Sequence, residues 1–172
     1  MKIAVFSDSH GDVDSMRTLI ETIEPEAVFY LGDGINDILK LEKEFPELRF
    51  EYVKGNCDTS STIPKTKRVE AGRYVFYITH GDIYNSKLET DAVIDVAKQN
   101  GAAMFLHGHT HTPTLWTYSG VTVMNPGSVR RKPGVKPPSF GLIRVYESFF
   151  VCKILFNTQV QYIPEFDMWI NS

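Results

Sequence analysis

Cysteine is nearly absent from this sequence, and long apolar runs are missing as well. Only Cys57 and Cys152 occur among the 172 residues. Two cysteines cannot build a disulfide framework, so a reducing compartment is expected. No apolar run approaches the roughly 18 residues of a membrane span, and residues 3–6 are too few for a signal-peptide core of about 7–15 residues. These absences predict a cytoplasmic protein that does not associate with a membrane.

An excess of basic charge is also missing. Eighteen Lys and Arg against twenty-one Asp and Glu give a net charge of -3. This balance excludes a strongly basic chain built for nonspecific duplex binding, and it excludes an acidic disordered tail. Apolar residues make up 42% of the chain, which is enough for a hydrophobic core without disulfide bonds or structural metal ions. We expect one domain over residues 1–172, with no dedicated nucleic-acid-binding domain.

The first half of the chain alternates short apolar segments with amphipathic ones. Residues 3–6 and 27–31 have the continuous apolar character of buried strands, and residues 50–53 are predicted to form a third strand. The two segments between them have helical spacing, and Pro25 ends the first of these helices. This rhythm predicts parallel strands with helices packed outside them.

The second half is mostly β with one helix. A hairpin is predicted across Gly72-Arg73, followed by a helix containing Leu88, Ala92, Val93 and Val96. Further strands are predicted at residues 103–106, 114–118, 121–124, 141–146 and 149–156. Two packed sheets with helices outside would satisfy both halves.

Metal-binding types of side chain follow the predicted strands. Because sites in open α/β sheets form beyond the carboxyl ends of strands, these loops are expected to converge. All five histidines fall within them, and for His107 alone we favour an ordinary core or surface role. The segments are Asp8-Ser9-His10, Gly32-Asp33, Gly55-Asn56-Cys57-Asp58, Thr79-His80-Gly81-Asp82 and His107-Gly108-His109-Thr110-His111.

The number of candidate ligands indicates two ions. A closed zinc site takes four ligands, whereas one bridging carboxylate can join two ions about 3.5–4 Å apart. Imidazole mixed with carboxylate and amide oxygen suits Mn, Fe, Co, Ni or Zn better than Ca or Mg. The candidates are Asp8, His10, Asp33, Asn56, His80, His109 and His111.

These blocks, in this order, resemble the calcineurin-like metallophosphoesterases, and the small size resembles the YfcE-like phosphodiesterase group. The similarity covers residues 1–128 and includes Asn125-Pro126-Gly127-Ser128. The resemblance implies an α/β fold, a four-layer αββα sandwich of two packed mixed sheets flanked by helices. It also implies a single metallophosphoesterase domain.

The resemblance further implies the ligands of each ion. Asp8, His10 and His111 would bind the first divalent transition-metal ion, and Asn56, His80 and His109 the second. Asp33 would bridge them. Asp33, Asn56 and His109 are also expected to be catalytic. Manganese is the favoured metal, with Ni, Fe, Co and Zn as alternatives.

The implied activity is hydrolysis of a small phosphodiester by a hydroxide that two metals activate. Two divalent ions with two carboxylates and one hydroxide leave a charge of about +1, which suits a phosphodiester monoanion but also attracts a monoester. The alternatives are a VPS29-like non-catalytic protein-binding scaffold, or a phosphomonoesterase or nuclease of the same superfamily. The complete set of ligands favours the phosphodiesterase.

Cys57 departs from the family pattern, because many members have histidine there. A thiol is a poorer proton donor than imidazolium, so we expect dependence on good leaving groups or protonation through a metal-bound water. A small packing residue is the alternative interpretation.

Most of the remaining polar and aromatic segments have two interpretations. The basic loop Arg130–Lys136 either steers anionic substrate or is a solvated run of charge. Asn36 and Asp37 are predicted to cap a helix. Asp58 and Asp82 either orient ligands or form turns. The aromatic C-terminal part either packs in the core or forms the interface of a homo-oligomer at Ile163–Ile170.

Overall fold

The computed structural model describes residues 1–84, 90–131 and 137–157, which contain ten strands and three α-helices. The helices are α1 (Val13–Ile23), α2 (Ile35–Glu44) and α3 (Thr90–Gln99). The strands are β1 (Lys2–Phe6), β2 (Ala27–Tyr30), β3 (Arg49–Tyr52), β4 (Thr66–Ala71), β5 (Tyr74–Thr79), β6 (Met104–Leu106), β7 (Thr114–Tyr118), β8 (Val121–Asn125), β9 (Ser139–Val145) and β10 (Phe150–Phe156).

The strands form two mixed sheets. The first has the order β10-β9-β1-β2-β3, in which β1, β2 and β3 run parallel and β9 is antiparallel to β1. The second has the order β4-β5-β6-β8-β7, in which β5, β6 and β8 run parallel. The predicted hairpin is confirmed, since β4 pairs with β5 across Gly72-Arg73.

The alternation of side chains along β1 explains why the whole strand is apolar. Ala4 and Phe6 pack with α1 and α2, whereas Ile3 and Val5 face the second sheet. Both faces of the strand are therefore buried, as expected for a central parallel strand. The second sheet packs against α3 through a separate cluster that includes Phe105. The predicted four-layer αββα sandwich is confirmed.

The helical spacing in the first half is also confirmed. In α1 the predicted apolar side chains are buried on one face, and the helix ends at Ile23, just before Pro25. No helix within the described residues is long and apolar enough to cross a membrane. Predictions for Leu88, Lys132 to Lys136 of the basic loop, and Ile163–Ile170 fall outside the described residues.

Candidate metal centre

The loops that follow five strands meet at one edge of the sandwich. The loops after β1, β2 and β3 come from the first sheet, and those after β5 and β6 come from the second. Within each sheet these strands run parallel, so their carboxyl ends lie at one edge, and the grouping of Asp8 and Asp33 with His80 shows that the two edges meet. In chain order these loops carry Asp8 and His10, Asp33, Asn56, His80, and His109 with His111.

Left-handed backbone conformations are concentrated in these loops. Five of the seven predicted ligands have φ between 43° and 67°. Among the other non-glycine residues that the structure describes, only Glu24 and Ser119 have positive φ. Each such residue costs about 1–3 kcal/mol and persists only where its surroundings hold it. The five are Asp8, His10, Asp33, His109 and His111.

Asp8, His10 and His111 form the first tight group. Their potential ligand atoms lie within 4.8 Å of one another, and Nε2 of His10 is 3.4 Å from Nε2 of His111. Oδ1 of Asp8 is buried and accepts no hydrogen bond from the described residues, although Nε2 of His111 lies 3.2 Å away. The Asp8 carboxylate raises the pKa of His111. A cation would satisfy all three groups, so these donors fit a divalent ion.

Asp8, Asp33 and His80 form a second, fully buried group with ligand atoms within 4.8 Å of one another. Nδ1 of His80 lies 2.7 Å from the carbonyl oxygen of Leu31, which can only accept, so we assign the proton to Nδ1. Nε2 of His80 then faces Oδ2 of Asp33 at 3.4 Å and Oδ1 of Asn56 at 3.2 Å. A backbone carbonyl that orients an imidazole in this way is common behind metal ligands.

Asp33 and His80 each shift the pKa of the other. Burial by itself would raise the pKa of Asp33, but hydrogen bonds from His80 and from the backbone N–H of Cys57 outweigh it and lower that pKa. His80 can donate to Asp33 only with a second proton, on Nε2; burial opposes that charged form, yet this hydrogen bond raises the pKa of the imidazole. Asp33 is therefore an ionised carboxylate.

Asn56 and His109 lie at the margin of these groups. Asn56 is exposed and contacts the site through His80. The ring of His109 stands edge-on to that of His80, with 5.1 Å between the ring centroids. Among the described residues, three groups of His, Cys and carboxylate ligand atoms lie within 4.8 Å, and His109 belongs to none of them. Its backbone N–H donates to Oδ2 of Asp8 at 3.2 Å.

Cys57 belongs to the third of these groups, together with His10 and Asp33. Its side-chain hydrogen bond to Asp33, with a smaller effect of burial, raises the pKa of the thiol to about 11. The thiol faces the carboxylate, so the packing interpretation does not describe its surroundings. The sequence places Cys57 directly after the predicted ligand Asn56, which indicates that it lies near the site. The direction in which its side chain points depends on the loop conformation, which the sequence does not display.

The carboxylate of Asp58 connects two of the ligand loops. The carboxylate of Asp58 accepts the backbone N–H groups of Asp33, Gly34, Ile35 and Gly55, each at 2.8–2.9 Å. It therefore joins the loop after β2 to the loop after β3.

The predicted capping role of Asn36 and Asp37 is wrong, because both lie within the first turn of α2, which is capped by Gly34. Oδ2 of Asp37 instead accepts from Oγ of Ser9 and the N–H of Gly11, both at 2.7 Å. It thereby supports the loop after β1. Asp82 pairs with Lys65 at 2.8 Å at the start of a short 3-10 turn.

The segment Asn125-Pro126-Gly127-Ser128 supports the ligand loops from the second sheet. Oγ of Ser128 donates to the carbonyl oxygen of Asp8 at 2.8 Å. Nδ2 of Asn125 donates to the carbonyl oxygen of Gly108 at 2.9 Å. His107 is buried beside Asn125, and burial lowers the pKa of its imidazole to about 4. A neutral core histidine is the role expected for it.

Residues 1–148 match the calcineurin-like phosphoesterase superfamily domain. The chain is 30% identical over 133 residues to the probable metallophosphoesterase YsnB of Bacillus subtilis, covering 76% of each chain. It is 23% identical over 167 residues to the phosphodiesterase YfcE of Escherichia coli, covering 83% of this chain and 87% of YfcE.

Solved structures show the same fold. A predicted phosphoesterase of Streptococcus pneumoniae aligns with a TM-score of 0.76 at 25% identity, covering 91% of this chain and 90% of that one. Vps29 of Entamoeba histolytica, complexed with zinc, aligns with a TM-score of 0.68 at 21% identity, covering 91% of this chain and 99% of Vps29. The domain match spans most of the sequence and includes every predicted ligand, and the chain belongs to the calcineurin-like phosphoesterase superfamily.

Proposed function

We propose that this protein is a phosphodiesterase that hydrolyses small phosphodiesters at a centre of two divalent transition-metal ions. One observation carries the proposal: a buried carboxylate oxygen of Asp8 without a hydrogen-bond partner among the described residues faces the imidazoles of His10 and His111. When His111 is neutral this buried oxygen has no donor, which is costly, and a bound cation would remove that cost.

The proposed ligands are divided between the two ions as the family resemblance implies. Asp8, His10 and His111 hold the first ion, and the tight grouping of their ligand atoms supports this assignment. Asn56, His80 and His109 hold the second. Asp33 would serve both ions, and its carboxylate lies 3.9 Å from His10 and 3.4 Å from His80, which supports this role.

When bound, two such ions activate water near neutral pH and neutralise the charge of the phosphoryl group. The chain supplies the positions of the donors. Asp58 and Asp37 hold the ligand loops at their backbone N–H groups, so the donors are preorganised before substrate arrives. Nδ1–H of His80 stays on the carbonyl of Leu31 and keeps Nε2 directed into the site.

The chemistry of the leaving group follows from Cys57. No imidazole stands where many superfamily members have one, and the pKa of the thiol, at about 11, is raised rather than lowered. We propose that the enzyme prefers substrates whose leaving group needs little protonation. We place it in the cytoplasm, where both of its free cysteines would stay reduced.

A Vps29-like scaffold is the second candidate, because the fold is shared with Vps29. This likeness supports a common architecture and says nothing about activity. Every position at which the family resemblance implies a ligand carries a residue able to bind a metal, and this supports hydrolysis over a purely structural role. A set of metal-binding residues does not determine the substrate, so a phosphomonoesterase and a nuclease stay alternatives within the enzymatic proposal.

The test is hydrolysis of bis-p-nitrophenyl phosphate and of p-nitrophenyl phosphate, with added Mn or Ni. We expect metal-dependent turnover, greater on the diester, and a loss of at least about a hundredfold in Asp33→Ala. Asp14→Ala is the matched control, because Asp14 is an exposed carboxylate on α1 with 92% of its side chain accessible. Absence of turnover on both compounds would favour the scaffold. Faster turnover of the monoester would favour a phosphomonoesterase.

A further inference from the structure

A buried hydrogen-bond network lies behind the loop that carries two of the proposed ligands. Ser9 stands between Asp8 and His10 in the chain. Its Oγ lies 2.6 Å from the hydroxyl oxygen of Tyr30, in β2, and 2.7 Å from Oδ2 of Asp37, in α2. Ser9 and Tyr30 are completely buried, and Asp37 is 6% exposed. Three polar groups therefore meet out of contact with water, next to the ligand loop.

The chemistry of the three groups fixes the direction of these hydrogen bonds. A carboxylate only accepts, so the single hydroxyl proton of Ser9 is donated to Asp37. The bond between the two hydroxyl groups is then donated by Tyr30 and accepted by Ser9. The N–H of Gly11 donates to the same oxygen of Asp37 at 2.7 Å. Tyr30, Ser9 and Asp37 thus form one directed chain of hydrogen bonds.

The rest of the fold makes room for this network and anchors it. A Cβ at Gly34 would lie 2.1 Å from Oγ of Ser9 and 2.3 Å from the hydroxyl oxygen of Tyr30. Only glycine leaves this space to the polar groups. The ring of Tyr30 belongs to the core cluster beneath α1 and α2, together with Phe6 and Ile38. Its hydroxyl is therefore held by packing that does not depend on the ligand loop.

The ligand loop needs an anchor because the backbone on both sides of Ser9 is strained. Asp8 has φ of 56° and His10 has φ of 43°, and such residues persist only where their surroundings hold them. The N–H of Asp8 donates to the carbonyl oxygen of Gly32, and that of His10 donates to the carbonyl oxygen of Asp33. The side-chain network holds the residue between these two points, so it helps to set the direction of both ligands.

We infer that Tyr30 is a positioning residue for the first ion, because through Ser9 it holds Asp8 and His10 in place before the metal binds. This inference rests on the proposed metal centre. Tyr30 acts through Ser9 and touches neither ion nor substrate. The proposed ligands that belong to the second ion alone lie on other loops, so loss of the Tyr30 hydroxyl should weaken the first ion and spare the second.

The test is titration of the metal-free full chain with Zn(II) in a calorimeter. Tyr30→Phe removes one oxygen and keeps the ring, and we expect the affinity for the first ion to fall about tenfold. His111→Ala, which lacks a proposed ligand of that ion, identifies its step in the titration. Tyr77→Phe is the matched control, because this hydroxyl bonds to that of Tyr84 at 3.0 Å in the cluster beside α3. We expect wild-type affinities for both ions in the control.

A second variant and a second readout separate positioning from stability. Ser9→Ala breaks the same chain of hydrogen bonds, so it should weaken the first ion about as much as Tyr30→Phe, and the double variant should lose little more. The melting temperature of each metal-free protein measures the effect on the fold alone. We expect a similar decrease in Tyr30→Phe and Tyr77→Phe, with a loss of zinc affinity only in the former.

Three results would overturn the inference. The first is a lower melting temperature of metal-free Tyr30→Phe together with wild-type affinity for both ions, which would make the network purely structural. The second is an equal loss of affinity for the two ions, and the third is an equal loss in Tyr77→Phe. Each of these leaves the proposed phosphodiesterase intact. If the wild type binds no zinc or manganese, the proposed function fails together with the inference.

Discussion

At the scale of single residues, the carboxylates of the proposed metal centre have two different roles. Asp8 and Asp33 present oxygens to the site, whereas Asp58 and Asp37 accept backbone N–H groups behind it. In sequence all four are short acidic side chains near glycine. The burial and partners of each carboxylate distinguish the proposed ligands from the supports.

Removing the carboxylate of Asp58 should loosen two loops at once. Asp58→Ala leaves four backbone N–H groups without their acceptor, so we expect the free energy of unfolding to fall by about 3 kcal/mol. Urea denaturation measures the change. Asp58→Asn keeps one acceptor oxygen and should lose less. An unchanged unfolding midpoint in Asp58→Ala would show that the N–H groups find other partners.

The stability of the protein should fall at high pH because of Cys152. Burial raises the pKa of this thiol to about 11. The unfolded chain loses the proton near its ordinary pKa of about 8.5, so between these values the folded state holds more protons and becomes less stable as pH rises. The contribution is present below about pH 8.5 and is lost as the pH approaches 11.

The measurement compares urea denaturation at pH 8 and pH 10.5. Between these values the wild type should lose roughly 2 kcal/mol more than Cys152→Ala, which has no thiol to titrate at this position. Equal losses in the two proteins would mean that the thiol titrates normally in the folded state.

At the scale of secondary-structure elements, the strands were far more predictable than the loops. The apolar segment 27–31 predicted β2, which the structure ends at Tyr30, and the segment 114–118 predicted the full length of β7. Strand periodicity is a local property that the sequence displays directly. The ends of the strands differ by one or two residues, because pairing with a neighbour decides them.

The chemistry of the loops was predictable as residue types but not as contacts. Polar side chains after β1 and β2 indicated a metal site, and the structure brings Asp8 and Asp33 together there. The capping role expected of Asp37 was wrong because its partners, Ser9 and Gly11, belong to a different loop. Only the tertiary arrangement of parallel strands brings such partners together.

Gly55 should be essential for the contact between two of these loops. A Cβ at this position would lie 2.1 Å from Oδ1 of Asp33, so Gly55→Ala must displace the proposed bridging carboxylate. We expect metal-dependent turnover of bis-p-nitrophenyl phosphate to fall by at least about tenfold. Gly101→Ala controls for a general loss of stability, because a Cβ there meets no atom within 4 Å while the φ of 62° strains alanine away from the site. Equal activities of the two variants would show that the Asp33 loop shifts without consequence.

At the scale of the whole molecule, the proposed centre joins the two sheets. Asp8 and Asp33 follow strands of the first sheet, whereas His80 and His111 follow strands of the second. The apolar layer between the sheets already holds them together, with Phe29 against Phe76 at a ring-centroid distance of 5.8 Å. Bound ions would add a second connection at the edge.

Metal binding should therefore stabilise the whole fold. Ions at a hundred times their dissociation constant should raise the free energy of unfolding by about 2.7 kcal/mol per site. Calorimetry with Zn(II) or Mn(II), followed by a chelator, measures the gain and its reversal. Asp33→Ala should show a smaller gain. A wild-type melting temperature indifferent to both metals would contradict a centre that spans the sheets.

The division of the ligands between the sheets has a consequence for synthesis on the ribosome. Asp8 emerges early, but β9, which pairs with β1, follows the last candidate ligand, His111, in the chain. The first sheet is therefore completed only after every ligand has left the exit tunnel. The full set of proposed ligands therefore cannot be assembled before β6 and the segment that carries His111 have emerged.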